Sequence, residues 1–259
     1  MPRSPVGTLA AGPGTRYVMA APDRRARLRL LCFHHAGGAA SAFAGWQRAL
    51  GPDVAVLPVQ LPGREGRIRE PRLLDMDELV DELDDQLGPL LAGPHAFYGH
   101  SMGALVAYRL ACRRQEAGAP PAALLLGAYP APHLPTALRD EVQHLPDDEL
   151  TALLLRIGGM SPGLVDHPLW MSAALSLFRD DLRLCHSRPG PAAEPLDCPV
   201  EVFAGTTDPL VASSDAAAWR RHTRAAFRLH LVPGGHFFTR DSEPVFLSLL
   251  SSVLAAVAR

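Results

Sequence analysis

Residues 98–111 read YGHSMGALVAYRLA, a serine set between two glycines in the pattern G-x-S-x-G. The residues just before it, His95 to Tyr98, suit a short buried strand. After it, Ala104, Leu105, Ala107, Tyr108, Leu110 and Ala111 recur at helical spacing. A chain that turns from strand to helix within one residue forces that residue into a strained backbone conformation, and its neighbours must be small to avoid a clash. Gly99 and Gly103 make that room. The expected product is a nucleophile elbow, with the Ser101 hydroxyl standing at the carboxyl end of a sheet and the following helix N-terminus favouring negative charge that develops there.

The rest of the chain supplies such a sheet. Leu28 to Phe33, Val54 to Val59, Ala123 to Ala128, Val200 to Ala204 and Phe227 to Val232 read as further strands. Phe43 to Leu50, Asp77 to Leu91 and Val245 to Val257 read as helices; the second is amphipathic through Leu79, Val80, Leu83, Leu87 and Leu90. Alternation of this kind predicts an α/β fold, a mostly parallel sheet with helices on both faces. From about His133 to Arg188 the rhythm breaks. Helical patterns at Asp147 to Ile157 and Leu169 to Leu184 are joined by IGGMSPGLVDHP with no strand between them, which predicts an inserted helical lid.

The 259 residues suit one large domain, expected over residues 25–259 behind a flexible tail, residues 1–24, rich in Pro, Gly and Ala. That tail lacks the apolar core of a signal peptide, and no stretch approaches the length of a membrane span, so a cytoplasmic protein is expected. A formal charge of -2 gives no global reason to expect nucleic acid or an anionic membrane as partner. No lysine occurs, so the fixed positive side-chain charge is all arginine, in keeping with a high-GC codon bias. Cys32, Cys112, Cys185 and Cys198 form no C-x-x-C pair and read as reduced, buried thiols.

A serine hydroxyl needs a base to take its proton. His236, in PGGHFF, follows the last strand and precedes the last helix, which brings it to the same sheet edge; His100, next to the serine, should point away. The imidazole needs a carboxylate to fix its tautomer and stabilise its charged form. Asp208, in AGTTDPLV after the strand at 200–204, meets that need better than Asp215, which reads as the start of a helix. The order Ser101, Asp208, His236 is that of an α/β-hydrolase. An oxyanion hole requires two amides, one from Met102 and one from the glycine-bearing turn Phe33-His34-His35-Ala36-Gly37-Gly38. Ala36 is the expected second donor, with Gly37 as the alternative. Adjacent side chains rarely converge and these paired histidines have no carboxylate at ligating spacing, so no metal is expected, and a serine, base, acid and oxyanion hole need no cofactor.

FHHAGGAASAF (33–43), LPGRE (61–65), YGHSMGALVAYRLA, GTTDPLV and PGGHFF together resemble the type II thioesterases that accompany polyketide synthases and nonribosomal peptide synthetases. The likeness runs from Leu28 to the C-terminus. One departure is visible: His34 stands where relatives carry proline, which leaves the backbone there less constrained. The resemblance implies a stand-alone α/β-hydrolase with a helical lid, which clears stalled or wrongly loaded acyl groups from the phosphopantetheine arm of acyl or peptidyl carrier proteins. By position it implies Ser101 as nucleophile, Asp208 as acid, His236 as base, and Ala36 and Met102 as oxyanion amides.

Leu154, Ile157, Leu164, Trp170, Leu175 and Phe178 would then line the acyl chamber, and Arg64, Arg67, Arg69 and Arg72 would meet an acidic carrier protein. A monomer is expected. Competing functions are a generic carboxylesterase, a chain-releasing thioesterase, against which stands the want of any carrier segment in the chain, and a non-catalytic binding module, against which stand the intact Ser101, Asp208 and His236.

Overall fold

The computed structural model describes residues 16–18, 23, 25–138, 140–187 and 194–258. In chain order β1 (Leu28–Phe33) leads to α1 (Trp46–Leu50), β2 (Val54–Pro58), α2 (Met76–Leu91), β3 (His95–His100), α3 (Met102–Glu116) and β4 (Ala123–Gly127). Two helices follow without an intervening strand, α4 (Asp147–Arg156) and α5 (Pro168–His186). The chain then rejoins the sheet through β5 (Val200–Gly205), α6 (Ser213–Ala217), β6 (Phe227–Val232), α7 (Phe238–Asp241) and α8 (Glu243–Val257).

The six strands lie in the order β2-β1-β3-β4-β5-β6 and every neighbouring pair is parallel. Side chains alternate across each strand, so a buried parallel strand feeds two cores at once. Leu31 and Phe33 of β1, Phe97 of β3, and Leu124 and Leu126 of β4 pack with α2 and α3 on one face. Leu28, Leu30 and Cys32 of β1, Tyr98 of β3, and Leu125 of β4 pack with Trp46, Phe246 and Leu250 on the other. This is the expected layered α/β architecture. The direction of winding reverses between β1 and β3, and at such a switch point the loops leaving the two carboxyl ends part and open a crevice.

Local chemistry explains the boundaries. Asp75 caps α2 by accepting from the amides of Asp77 and Glu78, so that helix starts one residue earlier than its periodicity suggests. The helix expected over Phe43 to Leu50 is divided: a 3-10 turn covers Ala40–Phe43, and Gly45, at φ +87°, breaks the path before α1 begins. The short α6 between β5 and β6 has too few residues to show a period. Asp215 lies inside it rather than capping it.

The expected flexible tail falls largely outside the described residues; of those described, Arg16 and Asp23 are exposed and Tyr17 and Val18 are buried. Tyr17 is fully buried, the Arg67 guanidinium lies 4.1 Å from its ring centroid, and Val18 bridges Val59 antiparallel. A buried aromatic ring and a stacked cation hold that segment to the core. The inserted helices form a third apolar cluster of their own from Leu150, Leu154, Ile157, Leu175, Phe178 and Leu182, closed by Phe237. No helix among the described residues is long and apolar enough to cross a membrane.

Candidate active site

Ser101 occupies the turn between β3 and α3 at φ 55° and ψ -120°, a left-handed conformation that costs on the order of 1–3 kcal/mol for a residue with a side chain. Its amide donates to the Gly127 carbonyl at 2.8 Å, and its carbonyl accepts from Ala104 at 2.8 Å. The flanking glycines are required by close approach. A methyl group on Gly99 would lie 2.0 Å from the Gly103 carbonyl oxygen, and one on Gly103 would lie 2.1 Å from that of Phe33. Contact at Gly103 presses the first turn of α3 onto the end of β1. The turn after β1 is thereby brought beside the serine.

His236 arrives by similar means. A methyl on Gly205 would meet the Gly235 carbonyl oxygen at 2.3 Å, so the loops leaving β5 and β6 are in direct backbone contact; Thr207 donates to the Gly234 carbonyl across them at 3.0 Å. The result is a hydrogen-bonded chain. Nε2 of His236 lies 3.0 Å from the Ser101 hydroxyl oxygen, and its Nδ1 lies 2.9 and 3.2 Å from the two carboxylate oxygens of Asp208. The Asp208 side chain has no solvent exposure, and its Oδ1 accepts from the amides of Leu210 and Val211 at 2.8 and 3.3 Å. Asp215, the alternative acid, makes no contact with this imidazole; its backbone carbonyl accepts from Ala131.

Two further histidines surround the imidazole. His100 does point away from the serine hydroxyl, but it is not idle: its Nε2 hydrogen-bonds the His236 backbone carbonyl at 2.9 Å. His35 packs edge-on to Phe237, with ring centroids 4.9 Å apart. Burial, and then the neighbouring His236, push the pKa of His100 well down and that of His35 down to about 4. Both rings are therefore neutral at neutral pH. Neither places a fixed positive charge beside the His236 imidazole.

The turn after β1 and the start of α3 bring Ala36 and Met102 to the cavity that holds Ser101 and His236. First-turn helix amides lack intrahelical partners, which leaves that of Met102 available. Among the described residues the Ala36 amide has no hydrogen-bond partner, whereas the Gly37 amide donates to Asp181 at 2.7 Å. Of the two alternatives left by the sequence, Gly37 is thus engaged elsewhere.

The rest of this cavity's wall includes Tyr129, Leu138, Leu182, Cys185, Leu210 and Val211, and none of the six residues expected at an acyl chamber lines it. Leu154, Ile157, Leu175 and Phe178 are core of the inserted helices, Leu164 is half-buried, and Trp170 is 66% exposed. The face that α5 turns to the serine lies nearer its C-terminal end, at 182, 185 and 186, an i, i+3, i+4 set.

The arginines expected at a docking surface are mostly occupied. Arg64 is buried in a paired contact with Asp181, Arg67 is buried against Glu70 and Tyr17, and Arg72 pairs with Asp180 at 2.7 Å. Only Arg69 of the four remains exposed and outside any ion pair among the described residues. Sequence reasoning missed Asp181 altogether. It falls three residues after Phe178 and one before Leu182, a charge on the apolar face of α5, which was the available signal.

The family model for the thioesterase domain matches residues 28–253. The chain belongs to the thioesterase family. Gramicidin S biosynthesis protein GrsT of Aneurinibacillus migulanus is 34% identical over 242 residues, covering 93% of this chain and 94% of that one. RedJ, a thioesterase from the prodiginine biosynthetic pathway in Streptomyces coelicolor, is 38% identical with a TM-score of 0.81, covering 90% of each chain. BorB, a type II thioesterase from the borrelidin biosynthetic cluster, is 34% identical with a TM-score of 0.81, covering 93% of this chain and 96% of that one. The expected likeness to type II thioesterases of polyketide and nonribosomal peptide biosynthesis is borne out, as is the α/β-hydrolase fold. This thioesterase is a hydrolase of thioesters.

Proposed function

We propose that this thioesterase clears stalled or aberrant acyl groups from the phosphopantetheine arm of acyl or peptidyl carrier proteins, as a cytoplasmic, monomeric companion of a polyketide or nonribosomal peptide assembly line. The observation that carries the reading is the unbroken chain from the Ser101 hydroxyl through His236 to Asp208, at 3.0 and 2.9 Å, in a chain of this family. Relatives named for gramicidin S, prodiginine and borrelidin biosynthesis support the pathway class.

In this mechanism Ser101 Oγ attacks the thioester carbonyl carbon while its proton passes to Nε2 of His236. The carbonyl oxygen gains charge between the amides of Ala36 and Met102, next to the positive end of α3. The C–S bond breaks, the thiol leaves with the proton from His236, and the acyl group stays on Ser101 as an ester. Water then attacks that ester as His236 takes its proton, the bond from the acyl carbon to Ser101 Oγ breaks with return of that proton to Oγ, and the carboxylic acid is released. Asp208 Oδ2 holds Nδ1–H throughout and stabilises the imidazolium, while the Leu210 and Val211 amides fix the carboxylate itself. A thiol is a good leaving group, so these groups suffice for a thioester. The inserted helices α4 and α5 act as the lid, with Leu182 and Cys185 against the acyl chain.

The test offers the protein an acylated carrier protein, the matching acyl-pantetheine and a simple aryl ester. A preference for the carrier-bound thioester is expected. Faster turnover of the aryl ester would point instead to a generic esterase, and a cyclised or full-length released chain to a chain-releasing enzyme.

A further inference from the structure

We propose that the buried Arg64–Asp181 pair is a positioning element for catalysis: it fixes the turn after β1 so that the Ala36 amide, and not that of Gly37, faces the reacting oxygen. The inference rests on the oxyanion reading above.

The contacts are complete and directional. Arg64 Nη2 donates to Asp181 Oδ1 at 2.8 Å and Nη1 to Oδ2 at 2.8 Å, a two-pronged pair with side chains only 5% and 3% exposed. Asp181 Oδ2 also accepts from the Gly37 amide at 2.7 Å. Arg64 Nη1 reaches the Gly38 carbonyl at 3.3 Å, and its Nε reaches the Pro62 carbonyl at 3.3 Å. Two consecutive residues of the turn are thus held, one through its N–H and one through its C=O. A peptide group is planar and trans, so fixing the Gly37 N–H toward α5 also fixes the Ala36 carbonyl on the opposite side; the Ala36 N–H lies in the preceding peptide plane, one Cα away from this anchor. The Ala36 amide is left unpaired at the cavity.

Stability alone gives a weak reason for such a pair. Replacing a buried ion pair by apolar groups of similar volume is often neutral or stabilising, because desolvation of the charges offsets their attraction. What an apolar pair cannot supply is an acceptor for the Gly37 amide. Asp181 sits one residue before Leu182 and four before Cys185, both on the cavity wall. The pair therefore sets the acyl wall and the oxyanion donor in register.

The test compares wild type, Asp181→Asn, the double variant Arg64→Met with Asp181→Leu, and Ser101→Ala on one acyl thioester. The double variant is expected to fold, melting up to about 10 °C below wild type because the Gly37 amide loses its acceptor, and to lose kcat by about 100-fold with KM within about threefold, as loss of one oxyanion donor does. Asp181→Asn keeps a single acceptor oxygen and is expected to lose less. A trifluoromethyl ketone, which forms a charged tetrahedral adduct on the serine, should weaken on the double variant by about the factor lost in kcat, while the matching methyl ketone binds as before.

A folded double variant with kcat within about twofold of wild type would overturn the proposal, as would a loss confined to KM or one that leaves the ratio of the two ketones unchanged. Failure of both variants to fold would assign the pair to stability and overturn it as well. Activity surviving Ser101→Ala would sink the catalytic reading itself, an outcome separate from all of these.

Discussion

Gly103→Ala is the sharpest local perturbation the elbow allows. The added methyl would sit 2.1 Å from the Phe33 carbonyl oxygen, 2.5 Å from its carbon and 2.7 Å from the His34 carbonyl oxygen. Comfortable carbon contacts begin at about 3.5 Å, so the first turn of α3 and the end of β1 must separate by about 1 Å or more. The obstacles are backbone atoms, and no rotamer change relieves them. Overpacking of this kind costs about 3 kcal/mol at the upper end of its usual range, against about 1 kcal/mol gained because alanine favours a helix over glycine. The net of about 2 kcal/mol lowers Tm by about 4–8 °C in a domain of this size. The Ala36 turn moves with Phe33, and a displacement of about 1 Å at reacting groups costs about 100-fold in rate. Thermal melts followed by circular dichroism, with thiol release from an acyl thioester, read both effects. A Gly103→Ala protein with wild-type Tm and wild-type kcat would refute the claim that the glycine is there for the close approach.

Asp208→Asn preserves the size of the side chain but loses the carboxylate that holds Nδ1–H of His236; kcat for thioester hydrolysis should fall by about three to four powers of ten with little change in KM. Acid should destabilise the fold through His35, whose pKa of about 4 in the folded chain lies below the ordinary histidine value near 6.5. The unfolded chain binds that proton first as pH falls. Stability is therefore full above about 6.5 and declines down to about 4, by at most about 3 kcal/mol because His35 is only half-buried. His34 and His100 act in the same direction. Melting temperatures of wild type and His35→Gln across pH 4–7 should show the wild type losing more on acidification; parallel curves would contradict the assignment.

The frame of the molecule was legible because parallel strands and amphipathic helices write their periods into consecutive residues. Leu28–Phe33 and the run after Ser101 could be read almost to the residue. The meeting of Ser101, Asp208 and His236 was legible for a related reason: each follows a strand, and strand ends on one edge converge whatever their separation along the chain. What stayed hidden depends on partners remote in sequence. An arginine in LPGRE looks like surface charge until Asp181, 117 residues away, is seen to cover it. Tyr17 looked like part of a loose tail because its restraint comes from Arg67 and Gln60. The residues at the cavity were not legible, since period alone says which face of α5 is apolar but not which end of it reaches the serine.

The claim on which the rest depends is that Ser101 itself carries the acyl group. An acylated carrier protein mixed with wild-type enzyme, quenched in acid within milliseconds to seconds and digested, allows the acyl mass to be located by peptide mass spectrometry. The account predicts an adduct on the peptide containing Ser101, appearing before the free acid, and neither adduct nor acid from Ser101→Ala. Free acid released by Ser101→Ala at the wild-type rate, or an adduct mapped to any other residue, would contradict it.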